Sequence, residues 1–188
     1  MVRSFERRPV APDLVDSLLR QALRAPSAGN ADSLEVLVLD TPQQTDRYWE
    51  TTLTDDRRSA FPWPHLLDAP VLLVVWVDPS AYVRRYAESD KVSSGLGSRI
   101  ADWPVPYWYV DGGAAVMSIL HGAVDVGLGA LLFGLFEHED AIRGEFGVPQ
   151  QVRAVGTVAV GHPLPVRRSK SAQRPKRPFD DAIHRGQW

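Results

Sequence analysis

The chain has 188 residues, of which 44% are hydrophobic, and its formal net charge is −2 at pH 7. This length and composition suffice for one hydrophobic core, so we expect a single domain over residues 1–188 and not a general nucleic-acid binder. The sequence contains no cysteine, which excludes disulfides, thiol nucleophiles and thiolate metal sites. The N-terminal segment MVRSFERRPV lacks the apolar region of a secretory signal, so a soluble cytoplasmic protein is expected.

The first predicted element is an amphipathic helix that begins at Pro12. Leucine, valine and alanine side chains recur on one of its faces through about Arg24. Pro26 ends this helix, because proline lacks the amide hydrogen that continues the helical ladder. The residues that follow predict a turn-forming loop in which Gly29 and Asn30 tolerate positive φ.

Strands and helices alternate after this loop. In chain order we predict a strand over Leu34–Leu39, a helix over Pro42–Leu53, an irregular charged and proline-rich segment over Asp55–His65, and a strand over Ala69–Val77. The last of these is a continuous apolar run, which is typical of a central strand covered on both faces.

The region between Asp78 and Trp108 carries weaker signals. Tyr82–Glu88 predicts a short helix, and the glycine and serine content of Lys91–Ser98 is typical of a mobile loop. Four aromatic residues then stand among prolines, namely Trp103, Tyr107, Trp108 and Tyr109. They could stack on an aromatic substrate as a lid, whereas a cluster of this kind more often forms a small satellite core.

The segment Asp111–Phe136 is the longest mostly apolar stretch and predicts a buried helix followed by a buried strand. Asp111 is expected to cap the helix N-terminus, and Gly127 to end the helix in a left-handed conformation. The strand is expected over Ala130–Phe136, with a sharp backbone feature at Gly134. A membrane span is the weaker alternative, because polar residues interrupt the stretch and glycines stop the helix.

His121 and Asp125 lie four residues apart on one face of this helix. A catalytic dyad is one interpretation, and a polar contact within a subunit interface is the other, which we favour. No serine–histidine–acid or metal-ligand spacing stands out in the sequence. We therefore predict neither a catalytic side chain nor a metal site.

The C-terminal part adds a helix over Glu139–Phe146, ended by Gly147, a strand over Val152–Val160 and a short amphipathic ending, Phe179–Trp188. A basic run without an acid precedes that ending and comprises Arg167, Arg168, Lys170, Arg174, Lys176 and Arg177. It predicts an anion site; a solvated tail and a nucleic-acid or anionic-membrane contact are the alternatives. Because strands and helices are interspersed, the fold class is α/β or α+β with three layers around one sheet.

Five pieces of sequence occur in an order and spacing that are typical of one enzyme family. They are Arg3, Phe5 and Pro9-Val10; Ala25-Pro26-Ser27-Ala28-Gly29-Asn30; Asp111 with Gly127, Gly129 and Gly134; Val160-Gly161-His162-Pro163; and Lys176-Arg177-Pro178 with His184–Trp188. Together they resemble the nitroreductase family, the FMN-dependent NAD(P)H oxidoreductases, over nearly the whole chain. The second piece, similar to the A-P-S-x-x-N loop of the family, is the most specific.

Two departures from the family pattern concern the cofactor. The family has an arginine and a serine before the position of Arg3, whereas this chain begins too late for the arginine and has Met1 in place of the serine. The implied phosphate site is therefore weaker, rebuilt or cut short by a mis-assigned start. The family also continues its loop with glutamine, proline and tryptophan, where this chain has Asp32, Ser33 and Leu34, so one wall beside the flavin is altered.

The resemblance implies an FMN site built from three groups of residues. The phosphate would contact Arg3, Lys176 and Arg177, with Lys170 and Arg174 as possible substitutes, since arginine binds phosphate through a bidentate fork. The loop residues Pro26, Ser27, Ala28 and Asn30 would reach the isoalloxazine across a dimer interface, unless they form only a helix-ending turn. Backbone amides at Phe133, Gly134 and Leu135 would lie near flavin N5 and O4, unless Gly134 is only a strand-end glycine. Trp103, Tyr107 and Trp108 would form the substrate lid.

We expect an α+β fold of nitroreductase type, with a mixed central sheet flanked by helices in three layers, assembled as a two-fold homodimer. A helix that is apolar on nearly all sides needs more cover than one small subunit provides, which motivates the dimer. The implied activity is ping-pong transfer of a hydride from NADH or NADPH, through FMN, to a nitroaromatic, quinone or similar conjugated acceptor. The alternatives are a low-turnover protein that sequesters or delivers FMN, and a flavin-dependent dehydrogenase of a biosynthetic pathway.

Overall fold

The computed structural model describes residues 1–165 and 170–188. The helices in these ranges are α1 Pro12–Ala22, α2 Pro42–Thr52, α3 Asp55–Ser59, α4 Pro79–Tyr86, α5 Tyr107–Asp125, α6 Glu139–Phe146 and α7 Phe179–Ala182. The strands are β1 Leu34–Leu39, β2 Val71–Val77, β3 Gly129–Phe133 and β4 Arg153–Gly161. The segment predicted to be irregular contains α3, and the one predicted to be a mobile loop contains a short 3-10 turn at Val92–Ser94.

The four strands form one sheet in the order β1-β2-β4-β3, and each neighbouring pair is antiparallel. The α+β class is thus confirmed, whereas the prediction of a mixed sheet is corrected for the described strands. The reason is the path of the chain between β2 and β3. These two strands run in the same direction, but β4 lies between them and pairs antiparallel with both, so no parallel pair forms.

Strand β2 is buried along its whole length and separates two hydrophobic cores. Its alternate side chains Val71, Leu73 and Val75 pack against α1 and α5, because successive strand residues point to opposite faces. Its other side chains, Leu72, Val74 and Trp76, pack against α2 and α6. Helices therefore cover both faces of the sheet, as the three-layer prediction and the central position of β2 require.

Helix α5 begins earlier than predicted, at Tyr107, with Pro106 at the N-cap position. Asp111 therefore lies inside the helix and is not its N-cap. Proline is tolerated at the start of a helix, where amide hydrogens lack helical partners, so the preceding prolines do not delay the helix. The other end agrees with the prediction: Gly127 has φ +75°, and Leu128 N–H donates to the Ala123 carbonyl at 2.7 Å.

The N-terminal segment lies along the sheet at the start of β3. Val2 N–H donates to the Ala130 carbonyl at 3.0 Å, and Phe5 forms an antiparallel bridge with Pro163. Strand β3 itself ends at Phe133, three residues before the predicted end. Of the predicted basic run, Arg167 and Arg168 lie outside the described residues. Within the described ranges, no helix combines the length and hydropathy needed to cross a membrane.

Candidate active site

The loop after α1 has an unusual backbone. Ala28–Asn30 forms a single 3-10 turn, and φ is +65° at Gly29, +56° at Asn30 and +49° at Asp32. The positive φ predicted for Gly29 and Asn30 is confirmed, and Asp32 adds a third left-handed residue. A non-glycine residue in this region costs about 1–3 kcal/mol, so contacts from elsewhere in the fold must hold the loop.

Side chains from α4 and α5 supply these contacts. Ala28 N–H donates to Asp111 Oδ2 at 2.7 Å, and Arg85 Nε–H donates to the Gly29 carbonyl at 2.8 Å. The ring of Tyr86 packs on Gly29 so closely that a Cβ there would lie 2.7 Å from Tyr86 Cε2. The loop is thus held at the Ala28 amide, at the Gly29 carbonyl and by the Tyr86 ring, which leaves room only for glycine at position 29.

Tyr82 extends this network into the protein interior. Its hydroxyl donates to Asp111 Oδ2 at 2.7 Å and accepts a hydrogen bond from Ser33 Oγ at 3.3 Å. Burial raises the pKa of Tyr82 above its usual value, and the Asp111 carboxylate contributes to the rise while the hydrogen bond from Ser33 opposes it. Asp111 therefore joins the loop to a buried tyrosine, a role that sequence analysis missed.

The only signal for these partners was their spacing. Tyr82, Arg85 and Tyr86 are three and four residues apart, which places them on one face of α4. No sequence pattern indicates that this face meets the loop, because two strands and two helices lie between the loop and α4 in the chain. For Asp111, the sequence predicted only a helix N-cap.

The loop leaves polar side chains available for a ligand. Asn30 is exposed and Ser27 is half-buried, and neither side chain forms a hydrogen bond within the described part of the chain. The cavity behind them, also lined by Leu34, Val77 and Asp111, measures about 40 Å³. Ligand pockets measure about 300–1,000 Å³, so one chain cannot enclose a flavin here.

The second predicted group lies where β3 ends. The ring of Phe133 stacks on Trp49 at 5.7 Å, and Leu135 is buried, so both side chains point into the protein. Only the backbone of this segment can meet a ligand, as the resemblance implies. The ring of Phe136 lies against Gly134, where a Cβ would fall 2.7 Å from Phe136 Cζ.

The cationic residues are dispersed. The Arg3 guanidinium lies 5.5 Å from the centre of the Trp63 ring, beside a cavity of about 80 Å³ that Ser4 and Pro165 also line. Arg177 donates to the Asp181 carbonyl, and Lys176 and Arg174 are exposed. The placement of the Lys170 side chain is not described. The described contacts do not bring Arg3 together with Arg177 or Lys176.

The loop and Arg3 lie at opposite corners of the sheet. Ser33 bonds to Asp78 just beyond the end of β2, and Leu34 pairs with Val77, whereas Val2 bonds to Ala130, level with Val71. Six strand residues separate these levels, which is about 20 Å. Phe133 at the end of β3 is level with Val74, so Gly134 lies near the same end of the sheet as the loop, but on the β3 edge. Arg3, Gly134 and the loop of one chain therefore lie at three separate places around the sheet.

The predicted lid residues divide into two kinds. Trp103 and Trp108 are buried with Tyr82 in an aromatic cluster, and Trp103 Nε1–H donates to the Leu96 carbonyl at 3.1 Å. Tyr107 is exposed at the start of α5. Trp103 and Trp108 therefore occupy the satellite core that was the alternative interpretation, and the lid prediction now rests on Tyr107.

The described strands form an antiparallel sheet between two helical layers. The polar loop lies beyond the end of β2, and Gly134 follows the end of β3. These features define an α+β protein whose candidate ligand groups lie at the sheet ends. Comparison with known proteins identifies the family. The model of the nitroreductase family matches residues 1–162, so the chain belongs to this family. The enzyme class and cofactors that the resemblance implied, those of an FMN-dependent NAD(P)H oxidoreductase, are confirmed at the level of the family.

Individual relatives share the fold at low sequence identity. A protein of Archaeoglobus fulgidus, provisionally named NADH dehydrogenase/NAD(P)H nitroreductase, is 24% identical over 191 residues, covering 100% of this chain and 92% of that protein. A nitroreductase family protein from Streptococcus pneumoniae TIGR4 has a TM-score of 0.73 at 15% identity, covering 97% of this chain and 94% of its own. An FMN-dependent nitroreductase from Clostridium difficile R20291 has a TM-score of 0.67 at 18% identity, covering 100% and 94%.

Proposed function

We propose that this chain binds FMN and passes a hydride from NADH or NADPH to a small conjugated acceptor, such as a nitroaromatic or a quinone, in two half-reactions at one site. The observation that carries this proposal is the left-handed loop 28–32, whose backbone is held by Asp111 and Arg85 while the side chains of Ser27 and Asn30 stay free. Family membership supplies the class of cofactor.

The residues present fit FMN in three respects. Arg3 is a cation that can pair with a phosphate, and the backbone at Gly134 offers amide donors at a half-buried strand end. Ser27 and Asn30 can hydrogen-bond the polar edge of a flat ring. Phe136 must leave the surface of Gly134 for a ring to approach there, and its 90% exposure leaves it free to turn.

Bound FMN would supply the hydride chemistry, since a flavin can accept and return a hydride without a side-chain base. The chain's own residues would bind and orient the cofactor: Arg3 at the phosphate, the Gly134 backbone at one edge of the ring, and Ser27 and Asn30 of a second copy at the other. Lys176 and Arg177 are further candidates for the phosphate. Tyr107 would cover the substrate side and exclude water.

We propose that the enzyme is a two-fold homodimer that shares its two sites. Three exposed apolar side chains form a stripe along α5, namely Val110, Met117 and Val124. Half-buried Gly113 and exposed His121 lie on the same stripe. Such a stripe on a helix whose opposite face is buried is suited to packing against its own copy. The position of His121 within this apolar stripe supports its interpretation as an interface residue over its interpretation as a catalytic residue.

The visible absorption spectrum of the purified protein tests the proposal. A yellow protein that NADH or NADPH bleaches rapidly without oxygen, and that an added quinone or nitroaromatic turns yellow again, is expected. A protein that stays yellow would favour FMN sequestration or a dehydrogenase reduced by another substrate. A colourless protein that does not bind added FMN would refute the proposed function.

A further inference from the structure

The Asp111 carboxylate is a junction between three segments of the chain. Its Oδ2 atom accepts hydrogen bonds from Ala28 N–H in the loop and from the Tyr82 hydroxyl on α4, both at 2.7 Å, while Asp111 itself lies on α5. Asp111 is half-buried and Tyr82 is buried. A hydrogen bond to an ionised carboxylate in such a position is stronger than one between neutral groups.

The loop that donates the Ala28 bond is strained, because Asn30 and Asp32 both have positive φ. Within the loop, Asn30 N–H donates to the Ser27 carbonyl at 2.9 Å, and the side chains that hold the loop backbone come from outside it. Arg85 is the second external anchor, because it donates to the Gly29 carbonyl and is itself fixed by Asp90 at 2.7 Å through two nitrogen–oxygen pairs. Asp111 and Arg85, from two helices, thus hold the peptide groups on either side of the Ala28–Gly29 segment.

We propose that Asp111 is a positioning residue, which presets the loop 27–32 before any cofactor arrives so that Ser27 and Asn30 are presented in one orientation. This inference rests on the proposed function, in which those two side chains contact the flavin. Asp111 acts through the loop and has no contact with the reacting atoms. Preorganisation of this kind raises affinity because ordering the loop is no longer part of binding.

Two substitutions at Asp111 distinguish its hydrogen bonds to the loop from its negative charge. Asp111→Ala removes the acceptor, whereas Asp111→Asn keeps an oxygen that can accept both hydrogen bonds, since both donors reach the same atom. Thr52→Val is the control, because it removes a buried hydrogen bond, from Thr52 Oγ1 to the Tyr48 carbonyl, in a helix on the other face of the sheet.

Hydrogen exchange of the Ala28 amide in flavin-free protein is the first measurement. We expect exchange about tenfold faster in Asp111→Ala, within about threefold of the wild type in Asp111→Asn, and unchanged in Thr52→Val. The second measurement is the dissociation constant of FMN from flavin fluorescence. We expect it to rise about tenfold in Asp111→Ala and to return to within about threefold of the wild type in Asp111→Asn.

Unchanged Ala28 exchange in Asp111→Ala would overturn the inference, as would an asparagine variant as impaired as the alanine variant. If Asp111→Ala does not fold, Tyr82→Phe replaces it, because it removes one of the two bonds that orient the carboxylate. It should accelerate Ala28 exchange less than the alanine variant would, and no acceleration would overturn the inference. Failure of the wild type to bind FMN would refute the proposed function alone, since the exchange data do not depend on a cofactor.

Discussion

Left-handed backbone at residues other than glycine marks the positions where this chain is strained. Asn30 and Asp32 lie in the loop that Asp111 and Arg85 hold, whereas Phe136, with φ +44°, stands beyond β3 with 90% of its surface exposed. Strain of this size persists only where the surroundings enforce it. Asn30 is itself assigned to the cofactor, and Asp32 and Phe136 each lie two residues from an assigned position, Asn30 and Gly134. Strained residues tend to concentrate near such sites.

Phe136→Gly should therefore stabilise the chain by about 1 kcal/mol, because glycine adopts positive φ without steric cost. Because the Phe136 ring is exposed, removing it costs little free energy of unfolding from lost apolar burial. Chemical denaturation of the flavin-free protein measures the effect. Phe136→Ala is the matched control, since it removes the ring but keeps the Cβ; equal stability of the two variants would contradict the argument.

The buried tyrosines should make stability fall at high pH. Burial raises the pKa values of Tyr48 and Tyr82 in the folded protein, so above about pH 10 the unfolded chain loses phenol protons that the folded chain retains. The unfolded state then binds fewer protons, and the free energy of unfolding decreases as pH rises. Tyr82→Phe should make this decrease shallower while costing about 1–2 kcal/mol at neutral pH. Denaturation curves across the alkaline range test this, and an unchanged slope would refute it.

At the scale of elements, α5 organises the protein. One face packs on β2 and β4 through Ala115, Val116 and Ile119, its first turns carry Asp111 to the loop, and its exposed stripe faces outward. It approaches the sheet closely at Gly112, where a Cβ would lie 2.6 Å from Val155 Cγ2 and 3.0 Å from Val77 Cγ1. The position of Asp111 under the loop depends on this close approach.

Gly112→Ala should destabilise the fold by about 1–3 kcal/mol, because the added methyl must displace branched side chains of two central strands. Gly144→Ala in α6 is the matched control. No atom of the described chain lies within 4 Å of a Cβ there, so the higher helix propensity of alanine should stabilise it by up to about 1 kcal/mol. Thermal unfolding compares the two, and equal shifts would contradict the packing at Gly112.

At the scale of the molecule, the loop and Arg3 lie at opposite ends of the sheet, about 20 Å apart along the strands. The loop adjoins Val77 at the end of β2, whereas Arg3 follows a residue paired with Ala130 at the start of β3. A two-fold axis relates every corner of one subunit to the same corner of the other, so a dimer can place the loop of one beside Arg3 of its partner.

Met117→Glu should dissociate the proposed dimer, since Met117 is 47% exposed in the middle of the apolar stripe of α5. FMN binding should weaken when the subunits separate, because each proposed site would lose the residues that the second copy supplies. Val92→Glu is the control, as it places the same charge on an exposed apolar residue outside α5. Sedimentation and flavin titration measure both effects, and a dimer unaffected by Met117→Glu would exclude this face as the interface.

Mixed dimers test the shared site directly. Arg3→Ala and Asn30→Ala should each weaken FMN binding as pure dimers. If the two subunits exchange freely, about a quarter of the sites in an equal mixture should regain wild-type affinity, because each heterodimer has one site without a substitution. No recovery in the mixture would show that Arg3 and Asn30 act within the same chain.

The sequence by itself determined the family and most of the strands and helices. Local patterns were sufficient for β1, the buried run of β2 and the glycine end of α5, because propensity and periodicity depend on near neighbours. The ordered motifs were sufficient for the nitroreductase resemblance. Positive φ at Gly29 and Asn30 also followed from the residue types alone.

Only the tertiary structure decided what these elements do together. It placed β4 between β2 and β3, which removed the parallel pairing that a mixed sheet requires. It also turned Asp111 from a presumed cap into the anchor of a loop 83 residues away in sequence. Trp103 and Trp108 became core residues for the same reason: contacts between distant segments depend on how whole helices pack on the sheet, and no short stretch of sequence encodes that packing.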